Sequence, residues 1–188
     1  MKKKIQIIKR KVKYARLELR AGEPVLIMPR YGSVNKKWLE RKLKFIKDIK
    51  QKYKNQQIYN RSEEELVQLV SRFIEKYSRV LNMQPLKLNF RYMRTKWGSC
   101  SGKNRISFNL LLGYLPLALI RYIVFHEMVH LLIKNHSKKF WMVIEKEFKN
   151  YKKCKEKLFG YWFLLNKPKE DVERPKKVED RVEHGRND

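Results

Sequence analysis

The sequence predicts an α+β fold in which a small antiparallel N-terminal sheet and a separate strand pair pack around a helix that carries the segment HEMVH. Three observations predict it. Apolar and polar residues alternate with period two in YARLELR, LKLNFRYM and RISFNL, the signature of half-buried strands. Other segments repeat their apolar residues at the 3.6-residue spacing of a helix face. The stretch FHEMVHLLIKNH then gathers three of the four histidines of the chain into one apolar segment.

Each element has its own warrant. Three short segments with strand character lie between Ile5 and Arg30; Ala15, Leu17 and Leu19 alternate with charged residues, and AGEP is turn chemistry before VLIMP, so a small antiparallel meander is expected. From Val34 to Tyr53 the pattern turns helical, with Leu39, Leu43, Ile46 and Tyr53 on one stripe and lysines around the rest. Ser62 followed by Glu65 is a capping-box pair, and Leu66, Val70, Phe73, Ile74, Tyr77 and Leu81 continue a second helix. Two strands then flank the loop RTKWGSCSGKN. Pro116 suits the first turn of a helix running to about Leu132, and Ser137 can cap the next one, KKFWMVIEKEF.

At 188 residues the chain has the length of one ordinary domain. Residues 1–60 are expected to form the N-terminal strands and basic helix of a single unit, residues 61–165 its catalytic core, and residues 166–188 a flexible charged tail with too few apolar residues to offset the entropy of ordering. The 46 Lys+Arg against 19 Asp+Glu give a formal net charge of +27. A field of that size attracts nucleotides, nucleic acids or acidic surfaces, although solvated helix faces produce the same count. Cys100 and Cys154 form no spaced pattern of a disulfide framework or thiolate metal site. The start MKKKIQIIKRK lacks a secretory apolar run, and Leu110 to Phe125 is broken by Gly113, Pro116 and Arg121. A cytoplasmic protein without a membrane partner is expected.

Two histidines four residues apart on a helix differ by about 40° in direction and about 6 Å in height, so His126 and His130 can point at one ion. Glu127 lies beside the first, where its carboxylate can face water on that ion. Zinc held by neutral nitrogens with one open position brings its water to a pKa of roughly 7, and Glu127 can then act as general base. On a continued helix His136 would lie about 15 Å from His126 along the axis, so the helix must stop first. Asn135 is the expected stop, through the left-handed conformation that asparagine tolerates. The turn would return His136 as third ligand.

These residues, with Arg94, Trp97 to Ser101, Ile106, Ser107, Asn109, Asn135, Ser137, Phe140 and Trp141, resemble the YgjP-like metallopeptidase-domain family, a zincin-like group related to the SprT-like proteins. ARLELR, VLIMPRYGS and WLERKLKFI resemble it as well, and the likeness extends to about Leu158. The resemblance implies a zincin-like fold, His126, His130 and His136 as metal ligands and Glu127 as catalyst. It leaves the substrate open, because a nucleotide pyrophosphatase activity on UTP is also attached to that family. The histidine spacing equals that of metzincins too, but Ile133 stands where that group has glycine and no Met-turn is recognisable.

The strand pair around RTKWGSCS is expected to wall a cleft. Arg94 and Lys96 are candidates for neutralising a substrate carboxylate or phosphate, or else solvated surface. Gly98 would let backbone approach a ligand closely. Trp97 reads as a core anchor or a stacking platform, Cys100 as a small buried residue or a thiolate. Glu145 and Glu147 are candidates for orienting a ligand histidine.

The leading expectation is a zinc-dependent peptidase-like hydrolase. One alternative is a metal-dependent pyrophosphatase acting on nucleoside triphosphates such as UTP. Another is a nucleic-acid-binding module or DNA-associated protease that uses the basic helices. Manganese or nickel would suit phosphate chemistry in place of zinc. The oligomeric state stays open.

Overall fold

A computed structural model of the chain describes residues 5–20 and 23–166, the side chains of Leu19 and Arg20 excepted. The expected tail and its His184 lie outside the described residues, apart from Asn166, which closes the last helix. The α+β class holds. Strands β1 (Gln6–Arg10), β2 (Arg16–Arg20) and β3 (Glu23–Pro29) form one three-stranded sheet, followed by helices α1 (Lys36–Lys52) and α2 (Glu63–Leu81). Strands β4 (Lys87–Arg91), β5 (Gly98–Cys100) and β6 (Arg105–Asn109) form a second sheet; a 3-10 turn (Leu110–Tyr114) then leads to α3 (Leu117–Leu132), α4 (Lys138–Glu147) and α5 (Tyr151–Leu165).

The N-terminal sheet corrects the meander. Its order is β1-β3-β2, with β2 antiparallel to β3 but β1 parallel to it, so the sheet is mixed. Val25, Leu26 and Ile27 are consecutive and all buried, which requires cover on both faces. The most apolar strand therefore takes the centre, and a period-two pattern carries no information about which neighbour it gains. The second sheet is mixed as well: β4 and β6 pair in parallel, and β5, a short strand inside the expected loop, runs antiparallel along β6.

The capping box of α2 is complete. Ser62 Oγ accepts from the Glu65 N–H at 3.2 Å, while the Glu65 carboxylate accepts from the Ser62 N–H at 2.8 Å. Asn82 ends that helix in the left-handed conformation at φ 49°. Leu66, Val70 and Tyr77 of α2 then pack on Ile120, Val124, Phe125 and Met128 of α3, with Ile106 and Phe108 of β6 in the same core. Each such side chain contributes about 1.5–3 kcal/mol through burial.

A smaller cluster joins α1 to α5 through Ile46, Ile49, Tyr53 and Phe163. Glu156 accepts from Lys52 Nζ at 2.6 Å and from the Tyr53 hydroxyl at 3.0 Å, which ties the basic helix to the C-terminal one. Among the described residues no helix is long and apolar enough to cross a membrane. The apolar run that ends in HEMVH is buried core instead.

Candidate metal centre and its cavity

Helix α3 is buried through its middle, with Leu119, Ile120 and Tyr122 to Phe125 inside, as befits a helix that lacks a polar face, while Leu117 and Leu132 at its ends are exposed. It carries His126 and His130 one turn apart, with Glu127 between them at 6% exposure. The left-handed Asn135 expected at its end is not how it stops. Ile133 leaves the helix in extended conformation at φ −127°, and the non-glycine residues with positive φ among those described are Asn82 and Asn104. Two side-chain bonds hold the exit: His130 Nδ1 donates to the Ile133 carbonyl at 3.0 Å, and Lys134 Nζ donates to Asn104 Oδ1 at 2.7 Å. Ser137 then caps α4 by accepting from the Phe140 N–H.

The reversal brings the three histidines together. His136 Nε2 lies 3.0 Å from His126 Nε2 and 3.2 Å from His130 Nε2. Because a carbonyl can only accept, the His130 proton sits on Nδ1 and its Nε2 lone pair faces the other two rings. Burial pushes His126 down to about 3, helped by His130, His136 and Lys155, and burial likewise lowers His130 and His136. Neutral imidazoles are the form that ligates a metal. Bonds of 2.0–2.1 Å to a tetrahedral ion place nitrogens about 3.3 Å apart, so the observed separations suit one divalent cation at the centre. His126, His130 and His136 could therefore hold such an ion.

Phe140, fully buried, makes the floor: its ring centroid lies 4.9, 4.5 and 4.8 Å from those of His126, His130 and His136. Trp141 stacks on His136 at 5.4 Å. Glu127 is pushed up to about 7 by burial, offset in part by Lys96 and by a backbone hydrogen bond from Cys100. Gly98 approaches closely, as expected, but its neighbour is this carboxylate. A Cβ there would stand 2.7 Å from Glu127 Cγ and 2.8 Å from Oε1. Asn109, fully buried, braces the loop before β5: its Nδ2 donates to the Met93 and Lys96 carbonyls at 2.8 and 2.7 Å.

A cavity of about 700 Å³ opens beside the histidines, between α3, α5, the Trp97 loop and Leu17 of β2. Trp97 lines it and also packs edge-on against Trp162 at 4.8 Å, so it serves as wall and anchor together. Arg94 and Lys96 are exposed and do not line this cavity; Lys155 does. Burial pushes the Cys100 thiol up, against a thiolate role, and the histidine cluster that could hold a metal does not include it. Glu145 is exposed and Glu147 accepts from the Tyr77 hydroxyl at 3.0 Å, so neither orients a histidine. Phe140, Asn109, Tyr122 and Lys155 carry no role legible from spacing, because their parts depend on which elements meet.

A buried helix presenting two histidines and a glutamate, closed by a third histidine from the following turn, defines a site of the metal-dependent hydrolase class. Residues 3–160 match the YgjP-like metallopeptidase-domain family, and the chain belongs to it. No curated protein matches the chain. Among solved structures, the metallopeptidase zymogen of Pyrococcus abyssi abylysin is similar at 24% identity and a TM-score of 0.44, over 47% of this chain and 90% of that one. The metallopeptidase zymogen of Methanocaldococcus jannaschii jannalysin is similar at 23% identity and a TM-score of 0.41, over 53% of this chain and 89% of that one.

Proposed function

We propose that the chain is a zinc-dependent peptidase in which His126, His130 and His136 hold the metal and Glu127 is the general base. The observation that carries this reading is the convergence of three Nε2 atoms, two of the separations at 3.0 and 3.2 Å, beside a buried carboxylate. When bound, zinc supplies Lewis acidity, polarising a carbonyl and acidifying water to near neutrality. The residues of the chain do the rest. His130 is oriented by Ile133, so its ligating nitrogen is presented without reorganisation. Glu127, buried beside the histidines, can take a proton from water and return it to a leaving amine. Strand β5 lies at the sheet edge directly over Glu127, and an extended peptide can add to such an edge through backbone hydrogen bonds.

The pyrophosphatase alternative calls for several cations around a triphosphate. Lys155 is the one lysine or arginine among the described residues lining the cavity, which favours a peptide over UTP. Arg94 and Lys96 stay proposed as outer contacts of a bound chain. The zinc-loaded protein is expected to cleave casein-like chains and to release no pyrophosphate from UTP. Chelation should abolish the cleavage, and Glu127→Gln should lower kcat about 10²–10⁴-fold with zinc still bound. UTP turnover that depends on Glu127, without peptide cleavage, would replace this reading by its alternative.

A further inference from the structure

We propose that Lys155 is a specificity-determining residue that selects substrates carrying a carboxylate within about three residues of the scissile bond. This rests on the peptidase reading above and adds a substrate class to it. The cavity beside the histidines is walled mainly by Leu17, Trp97, Ile123, Leu158, Phe159 and Trp162. A charged group enters such a space only where a partner waits. Lys155, exposed at the rim of the cavity, is that partner. Its ammonium lies 4.5 Å from the centre of the Trp141 ring, and Trp141 in turn stacks on His136 at 5.4 Å.

The lysine is therefore seated on the platform that also supports a candidate ligand, within about 10 Å of the His136 ring, or roughly three residues of extended chain at ~3.3–3.6 Å each. Glu18, which also lines the cavity, is held by Arg16 at 2.9 Å. One ammonium balances one carboxylate, which belongs either to the C-terminus of a short peptide or to an Asp or Glu side chain.

Two peptide series separate those sources: free C-termini against amidated ones, and internal Glu against Gln at successive positions. The zinc-loaded wild type is expected to prefer the carboxylate member of one series at least tenfold in kcat/KM, mostly through KM. Lys155→Met should bring that ratio close to one, Lys155→Arg should keep most of it, and raised salt should narrow it. Lys152→Met, an exposed change on the same helix outside the cavity, should keep the full ratio. Equal rates for charged and neutral members in the wild type overturn the proposal and leave the peptidase reading intact. So does a preference that survives Lys155→Met, or a loss that strikes both members alike. Failure of the zinc-loaded wild type to cleave any peptide overturns both readings.

Discussion

At the scale of single residues, Glu127 has the sharpest thermodynamic consequence. Burial holds its carboxyl at about 7 against an ordinary 4.5. Between those values the folded chain binds more protons than the unfolded one, so metal-free stability falls as pH rises through that window. The cost reaches about 3 kcal/mol above pH 7 and vanishes below 4.5. His126, held near 3, acts in the opposite sense, losing stability as pH falls below 6.5, but wild type and a Glu127 variant share it. In chelator, Glu127→Gln is therefore expected to melt above wild type at pH 8 and level with it near pH 4.5. A gap that is equal at both pH values would show that the carboxyl is not desolvated. Glu127 beside His126 was legible as chemistry in HEMVH, whereas the Gly98 backbone pressed against it was not. Gly98 stood out in the loop, but only the fold decides what a glycine touches.

At the scale of elements, helix α5 ties the basic N-terminal helix to the cavity. A Cβ on Gly160 would lie 2.5 to 2.7 Å from Tyr53 ring and Cβ atoms, so α1 and α5 approach as closely as they do only because glycine stands there. Gly160→Ala gains about 1 kcal/mol in helix propensity and loses about 1–3 kcal/mol to overpacking. The expected net is destabilisation, read as a lower urea midpoint, with loosening of Phe159 and Trp162 in the cavity wall. A raised midpoint would show that α1 yields at no cost. Helices α1 to α4 were readable, because a capping box and a 3.6-residue stripe are local signals: Ser62, Glu65 and the run from Leu66 to Leu81 suffice for α2, whereas α5 itself was not read from the sequence. Strand β5 was not, since three residues, GSC, hold too little alternation to stand out from a loop.

At the scale of the whole molecule, the three histidines converge only while helix α3 and the reversal at Ile133 are formed, so an ion held by all three binds the folded state much more tightly than the unfolded one. Binding of that kind stabilises by about 2.7 kcal/mol at a hundredfold excess over Kd, which is roughly 5–10 °C in Tm for a chain this size. Wild-type Tm is expected to climb with zinc in that way and to stay flat in His130→Ala. A flat wild-type response would mean that the fold holds no such ion. The sequence by itself determined helices α1 to α4, the alternating strands and the HEMVH pair, because those depend on spacing along one segment, where geometry is set by the rise and turn of a helix or the pleat of a strand. Only the tertiary structure decided the parallel pairing of β1 with β3, the exit of α3 at Ile133, the Phe140 floor and the seating of Lys155 in the cavity. Those are contacts between distant segments, and whichever burial covers the most apolar surface selects them, a competition that no local pattern records.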